Sequence, residues 1–136
     1  MRALFGALLV SLVCLTGCAA TKPSVSTAPA NVTVFQMSSY ATAKPYLNQS
    51  VQFTAVFLTT GGTPPANIGV RHTDTEVLIV VTNDEGTAHP VFVGVPGTDP
   101  VLPTLKQGDH VLIKGTPLPM AGNTSVYFEV ASLTKQ

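Results

Sequence analysis

The sequence predicts an all-β fold, a small barrel of five strands with one or two short helices, preceded by a polar tether. In several short segments apolar and polar residues alternate, which is the side-chain period of a strand with one buried face. Stretches rich in Gly, Pro, Asn and Asp separate these segments and predict turns. The chain of 136 residues is long enough for one domain core and too short for two.

The domain itself is predicted at residues 31–136 and begins with a short helix. Ser38 or Ser39 is a suitable N-cap because its hydroxyl accepts a hydrogen bond from the first helical turn. The helix runs through Ala43 and ends before Pro45, since the residue preceding a proline avoids helical geometry.

The first three strands follow in order. Residues 50–59 form the first strand, and residues 61–69 have the Gly and Pro density of a long loop. Residues 76–82 are a continuous β-branched run of the kind that buries both faces. Residues 83–86 are of the types that favour a tight turn. Residues 89–95 form the third strand, which makes a hairpin with the second. The buried face of the first strand consists of Val51, Phe53, Ala55 and Phe57.

The last two strands are preceded by one helical turn. Residues 102–106 have room for that turn, which Gly108 closes. The fourth strand is predicted at residues 110–117, and after a loop the fifth begins at Val126. Each buries one face, formed by Val111 and Ile113 in the fourth strand and by Val126, Phe128 and Val130 in the fifth.

This order of elements resembles the OB-fold, a five-stranded Greek-key barrel. LPTLKQGDHVLIKG, residues 102–115, looks like the entry into the fourth OB strand. KPYLNQSVQF, residues 44–53, is similar to the approach to the first strand in small bacterial OB-fold lipoproteins. A β-sandwich is the alternative architecture.

The N-terminal residues resemble the precursor of a bacterial lipoprotein. Arg2 is followed by an apolar run over residues 3–15, the length of a signal-peptide core and shorter than the roughly 20 residues of a membrane-spanning helix. LTGC, residues 15–18, looks like a lipobox. The resemblance implies a signal peptide at residues 1–17, cleavage before Cys18, diacylglycerol on its thiol, and a tether at residues 18–30. The alternative is an ordinary signal peptide or a short membrane anchor.

Lipidation at Cys18 determines where the chain is expected to act. Cys14 leaves with the signal peptide, so the mature chain has no free thiol for a disulfide, a thiolate metal site or a cysteine nucleophile. Two or three acyl chains, palmitate among them, hold a protein stably on a bilayer. Ala19, rather than Asp, follows the cysteine, which by the same resemblance implies the outer membrane, facing the periplasm.

The charge balance disfavours nucleic acid as a partner. Charged residues make up 10% of the chain, and seven basic residues match seven acidic ones, so the formal net charge is zero. No long-range field is present to attract a phosphate backbone.

Candidate binding residues come from the surface that OB barrels commonly use, the second and third strands with their flanking loops. Those loops are residues 60–75 and 116–125 here. The polar and aromatic candidates are Arg71, His72, Phe92, Lys114 and Tyr127, and the apolar ones are Ile68, Leu118 and Met120. If exposed, the apolar residues indicate a protein contact; alternatively they fold back over the barrel end.

No catalytic motif is present, so an enzyme is not expected and no cofactor is predicted. The sequence lacks G-x-S-x-G and a phosphate-binding glycine loop. His72 and Asp74, with His89 or His110, could form a zinc site, but the histidines lack ligand spacing, which favours a solvated polar loop.

We therefore expect a non-enzymatic lipoprotein, anchored in the bilayer through acylated Cys18, that acts as an interaction or accessory subunit of a cell-envelope assembly with a protein partner. The alternatives are an OB-fold lipoprotein that binds a small ligand or glycan, for which Tyr127 would supply a stacking ring, and a lipoprotein that binds metal through His72 and Asp74.

Overall fold

The computed structural model describes residues 28–61, 67–68, 71–72, 75–84, 89–123 and 125–136. Within them the strands are β1 Ala30–Asn31, β2 Val51–Thr60, β3 Asn67–Ile68, β4 Arg71–His72, β5 Glu76–Thr82, β6 Val91–Pro96, β7 His110–Pro119 and β8 Val126–Lys135. The helices are α1 Val34–Met37 and α2 Tyr40–Ala43, and 3-10 turns lie at Lys44–Tyr46, Leu102–Thr104 and Ala121–Asn123.

Five long strands close into a barrel. The order is β2, β5, β6, β8 and β7, and β7 pairs back onto β2. All neighbours are antiparallel except β6 and β8, which are parallel. Numbered along the chain, the five strands lie in the order first, second, third, fifth and fourth. This is the OB architecture, so the predicted OB-like barrel is confirmed and a two-sheet sandwich is not formed.

The barrel interior is filled by the side chains that the alternation predicted. Val51, Phe53, Ala55 and Phe57 of β2 are all buried. Phe53 packs edge-on against Phe128 of β8, with ring centroids 5.0 Å apart. At Gly115 a Cβ would lie 2.7 Å from Cε1 of Phe128 and 2.9 Å from the carbonyl carbon of Glu129, because β7 and β8 approach closely at a bulge.

An N-terminal segment packs onto the barrel. Thr33 caps α1 in a reciprocal capping box with Gln36, and Ser39 caps α2, which ends at Ala43 as predicted. Val34, Met37 and Ala43 join the barrel core. Ala30, expected to end the tether, instead belongs to β1, which pairs parallel with the start of β2.

The predicted loop after β2 contains a two-stranded ribbon, β3 and β4. The predicted signal peptide and the tether through residue 27, including Cys18, lie outside the described residues. In the described part of the chain, no helix has the length and apolar character needed to span a membrane.

A Gly-Asp corner connects the Leu102–Thr104 turn to β7. Gly108 has a φ of 92°, and its N–H donates to Phe57 of β2 at 2.9 Å. Asp109 Oδ2 lies 2.7 Å from Nζ of Lys135 and accepts from the N–H of Lys106 at 2.7 Å. The Lys135 hydrogen bond, followed by the one from Lys106, lowers the pKa of Asp109. The carboxylate therefore closes the turn at Lys106 and joins it to the end of β8 at Lys135.

Asp109→Asn is expected to lower the free energy of unfolding at neutral pH. Because the pKa of Asp109 is lower in the folded protein than in the unfolded chain, its contribution is present above the unfolded value of about 3.9. It is lost as pH falls through the lowered folded value. Urea unfolding of both proteins at about pH 7 and about pH 3 checks this. A difference that persists unchanged at the lower pH would contradict it.

Candidate binding face on β5, β6 and β8

Three neighbouring strands present a continuous outer surface, which we call the β5–β6–β8 face. The residues that these strands turn into the core alternate with residues that point outward. The described outward-pointing residues are Glu76, Leu78 and Val80 on β5, Phe92, Gly94 and Pro96 on β6, and Tyr127 and Glu129 on β8.

Tyr127 points outward from the barrel and is nevertheless fully buried. Its ring lies across Gly94, and its hydroxyl donates a hydrogen bond to Oε2 of Glu76. A Cβ on Gly94 would overlap the phenol and lie 2.6 Å from that same carboxylate oxygen. The absence of a side chain at Gly94 is therefore what lets the ring span from β8 over β6 to β5.

Residues at the end of β7 and in the loop after it cover the tyrosine. Leu118 lies opposite Tyr127 in the β7–β8 ladder. Leu118 and Met120 are half-buried against Leu78 and Tyr127. The Ser125 hydroxyl lies 3.0 Å from Sδ of Met120, and the Met120 N–H donates to the Ser125 carbonyl at 3.1 Å. The two apolar loop residues thus fold back onto the outer face of the barrel.

Phe92 is the aromatic side chain of this face that remains accessible. It lies between Val80 of β5 and Tyr127 of β8 in the strand registers, and 40% of its surface is exposed. Among the described residues, it and Phe35 are the two large hydrophobic side chains with this degree of exposure. Phe92 is therefore the large apolar side chain of this face that is open to solvent.

The other sequence-predicted residues are placed differently. Lys114 of β7 lies opposite Gln52 of β2 and Ser132 of β8, so it is not brought to Phe92. Ile68, Arg71 and His72 lie in the β3–β4 ribbon, and their side chains are outside the described part of the structure.

The structure corrects the expectation that the Tyr127 ring is accessible for stacking, because Tyr127 is fully buried. Its ring is enclosed by Leu78, Leu118 and Met120, so a sugar cannot stack on it unless the ring is displaced.

Of the residues considered for a metal site, His89 and His110 have described side chains, whereas Asp74 and the side chain of His72 lie outside the described residues. His89 stacks edge-on with Phe35 at a centroid distance of 5.0 Å, and Nδ1 of His110 lies 3.5 Å from Oδ1 of Asp84. The described residues contain no group of three His, Cys, Asp or Glu side chains able to hold a metal ion.

The charge on the β5–β6–β8 face is acidic where it is described. Glu76 and Glu129 are its ionisable carboxyl groups, and none of its described side chains is Lys or Arg. The Glu76 carboxylate accepts the hydrogen bond from Tyr127, and Glu129 also interacts within the protein. A surface of this kind does not attract phosphate.

The buried pair of Glu76 and Tyr127 was not predicted from the sequence. Sequence reasoning places Glu76 at the start of a strand that buries both faces and treats Tyr127 as a candidate stacking ring, and it does not predict their contact. One signal was available, namely the isolated glycine in VFVGV, residues 91–95. A glycine inside a strand often marks the close approach of another group.

Three solved structures that resemble this chain have TM-scores below 0.5. The sequence matches no protein-family model and no curated protein. A solved structure of OBody AM3L09 bound to hen egg-white lysozyme is similar at 19% identity, with 67% of this chain and 84% of that chain covered and a TM-score of 0.48. OBody NL8 bound to the same lysozyme is similar at 20% identity, with 65% of this chain and 94% of that chain covered and a TM-score of 0.49. The S. pombe Stn1-Ten1 complex is similar at 10% identity, with 64% of this chain and 57% of that chain covered and a TM-score of 0.44.

Proposed function

We propose that this chain is a lipid-anchored, non-enzymatic binding subunit of a bacterial cell-envelope assembly, and that it docks a protein partner on the β5–β6–β8 face. The observation that carries the proposal is the filling of this face by Tyr127, while Phe92 beside it stays exposed. Small ligands need a concavity that buries most of their surface. Here the space above Gly94 is already occupied by the phenol.

A protein partner suits such a surface better. Interface centres are enriched in aromatic residues and poor in charge, and a few such side chains carry most of the binding energy. Phe92 would be the anchor, surrounded by Val80 and the cluster of Tyr127, Leu118 and Met120.

The location in this proposal comes from the N-terminal residues. Lipid on Cys18 would hold the domain at the membrane, and Ala19 favours the outer membrane over the inner one. The tether would set how far the barrel reaches from the bilayer.

Photo-crosslinking in native membranes tests the partner. A benzophenone-bearing phenylalanine at position 92 is expected to give one discrete protein adduct, which mass spectrometry identifies. The same probe at Phe35, the other exposed phenylalanine, is the matched control and should give none. In the purified complex, Phe92→Ala should weaken binding by about 2 kcal/mol, close to 30-fold, and Phe35→Ala should not. Equal adducts at both positions, or none at position 92, would refute the docking face.

A further inference from the structure

A concavity lies away from the β5–β6–β8 face, where the N-terminal segment crosses the barrel. It is an open groove of about 370 Å³ between α1 and the end of β5. Its described lining residues are Thr33, Val34, Phe35, Thr54, Asn83 and Asp84. Three of them belong to the N-terminal segment, which lies outside the five strands of the barrel.

The floor of the groove is formed by the part of β2 between Gln52 and Val56, where one edge of the strand pairs with neither β1 nor β5. Val32 donates to the Gln52 carbonyl at 2.9 Å, where β1 ends, and the pairing with β5 begins at Val56. Main-chain groups alternate in direction along a strand, so the N–H and C=O of Thr54 point to the same side as those of Gln52. They face the gap between β1 and β5, and the Thr54 side chain is exposed there.

On the β5 side, the groove is lined by the side-chain amide of Asn83 and the carboxylate of Asp84. Asn83 accepts from the Thr82 hydroxyl at 3.5 Å through Oδ1, and in the described hydrogen bonds its amide nitrogen has no partner. Asp84 has an 80% exposed side chain, and only Oδ1 lies near His110, at 3.5 Å. An ionised carboxylate has lone pairs for several donors, so both residues can bond a ligand.

The wall on the other side is aromatic. Phe35 is 53% exposed, and its ring stands perpendicular to that of His89, at an interplanar angle of 86°. This edge-to-face contact orients the ring. The groove therefore has an oriented apolar ring on one side and hydrogen-bonding groups on the floor and the opposite side.

We infer that this groove binds a neutral saccharide. A pyranose ring has an apolar face of C–H groups, which suits Phe35, and a rim of hydroxyls, which suits Thr54, Asn83 and Asp84. No Lys or Arg is among the described lining residues, and the carboxylate of Asp84 disfavours a phosphate, sulfate or uronate ligand. This site is separate from the protein-docking face and does not depend on it.

NMR on the full chain in detergent micelles tests the site. The chain, labelled with ¹⁵N, is titrated with maltotriose and with triacetylchitotriose, and trigalacturonic acid serves as the anionic comparator. At least one neutral trisaccharide is expected to cause saturable shifts of the Thr54 backbone amide and the Asn83 side-chain amide. The anionic trimer should bind at least about tenfold more weakly, which is about 1.4 kcal/mol.

Matched variants assign the effect to the groove. Phe35→Ala and Asp84→Asn should each weaken binding of the neutral sugar, the former at least about tenfold. Phe92→Ala should leave it unchanged. The inference is overturned if neither neutral sugar gives saturable shifts, if Phe35→Ala binds as the wild type does, or if the anionic trimer binds as tightly. Because Phe92 tests only the protein partner, failure of one proposal is distinguishable from failure of the other.

Discussion

Gly94→Ala is expected to be among the most destabilising single changes in the barrel. The new Cβ would occupy the position of the Tyr127 phenol, so the ring has to leave a site where it is fully buried. Its departure removes the hydrogen bond to Glu76, a carboxylate that is 9% exposed. Displacing a buried aromatic ring costs about 3–5 kcal/mol, and we expect a loss of that size in the free energy of unfolding, measured by urea denaturation.

Two further variants separate this mechanism from a general effect of replacing glycine by alanine. Gly61→Ala is the matched control, because its Cβ would have Thr59 Cγ2 as its nearest neighbour at 3.9 Å, and it should cost less than about 1 kcal/mol. In a Tyr127→Ala background, Gly94→Ala should also cost little, since the clashing ring is gone. If the losses in unfolding free energy from the two substitutions simply added in the double variant, the clash with the ring would not be the cause.

Cys18→Ala is expected to release the protein from the membrane completely. If Cys18 carries the lipid, its thiol is the point of attachment for acyl chains that contribute about 0.8 kcal/mol per buried CH₂ group. Membrane fractionation should move the variant from the pellet to the soluble fraction, and incorporation of radioactive palmitate should disappear.

The second cysteine of the sequence provides the control for this experiment. Cys14 lies within the predicted signal peptide, so Cys14→Ala should be lipidated and pelleted like the wild type. A Cys18→Ala chain that still pelleted and still incorporated palmitate would contradict the lipobox. In the proposal for localisation, the wild-type protein should also fractionate with outer-membrane rather than inner-membrane markers.

The barrel could be predicted because its strands have clear local patterns. In β2 and β7 each inward residue is apolar and the intervening ones are mostly polar, and the predicted strand over residues 76–82 coincides with β5. The Ser39 cap and the turn before β7 are likewise set by near neighbours in sequence. Such features depend on residues a few positions apart.

The candidate site could be predicted only in part because it depends on distant contacts. Alternation correctly predicts that Tyr127 points out of the barrel, but outward does not mean exposed. Its burial requires Gly94, Leu78, Leu118 and Met120 to meet it from three other strands and a loop. The groove at Thr54 similarly arises where β1 ends before β5 begins, a register that no local pattern of residues determines.

Barrel closure also determines when the domain can fold. β2, near the start of the domain, pairs with β7, and β6 pairs with β8, the last strand. Contacts between residues distant in sequence slow folding, because the chain loses loop entropy before it gains their energy. A chain emerging from the ribosome lacks these pairing partners until β7 and β8 have been synthesised. The topology therefore delays closure of the barrel until the end of the domain is available.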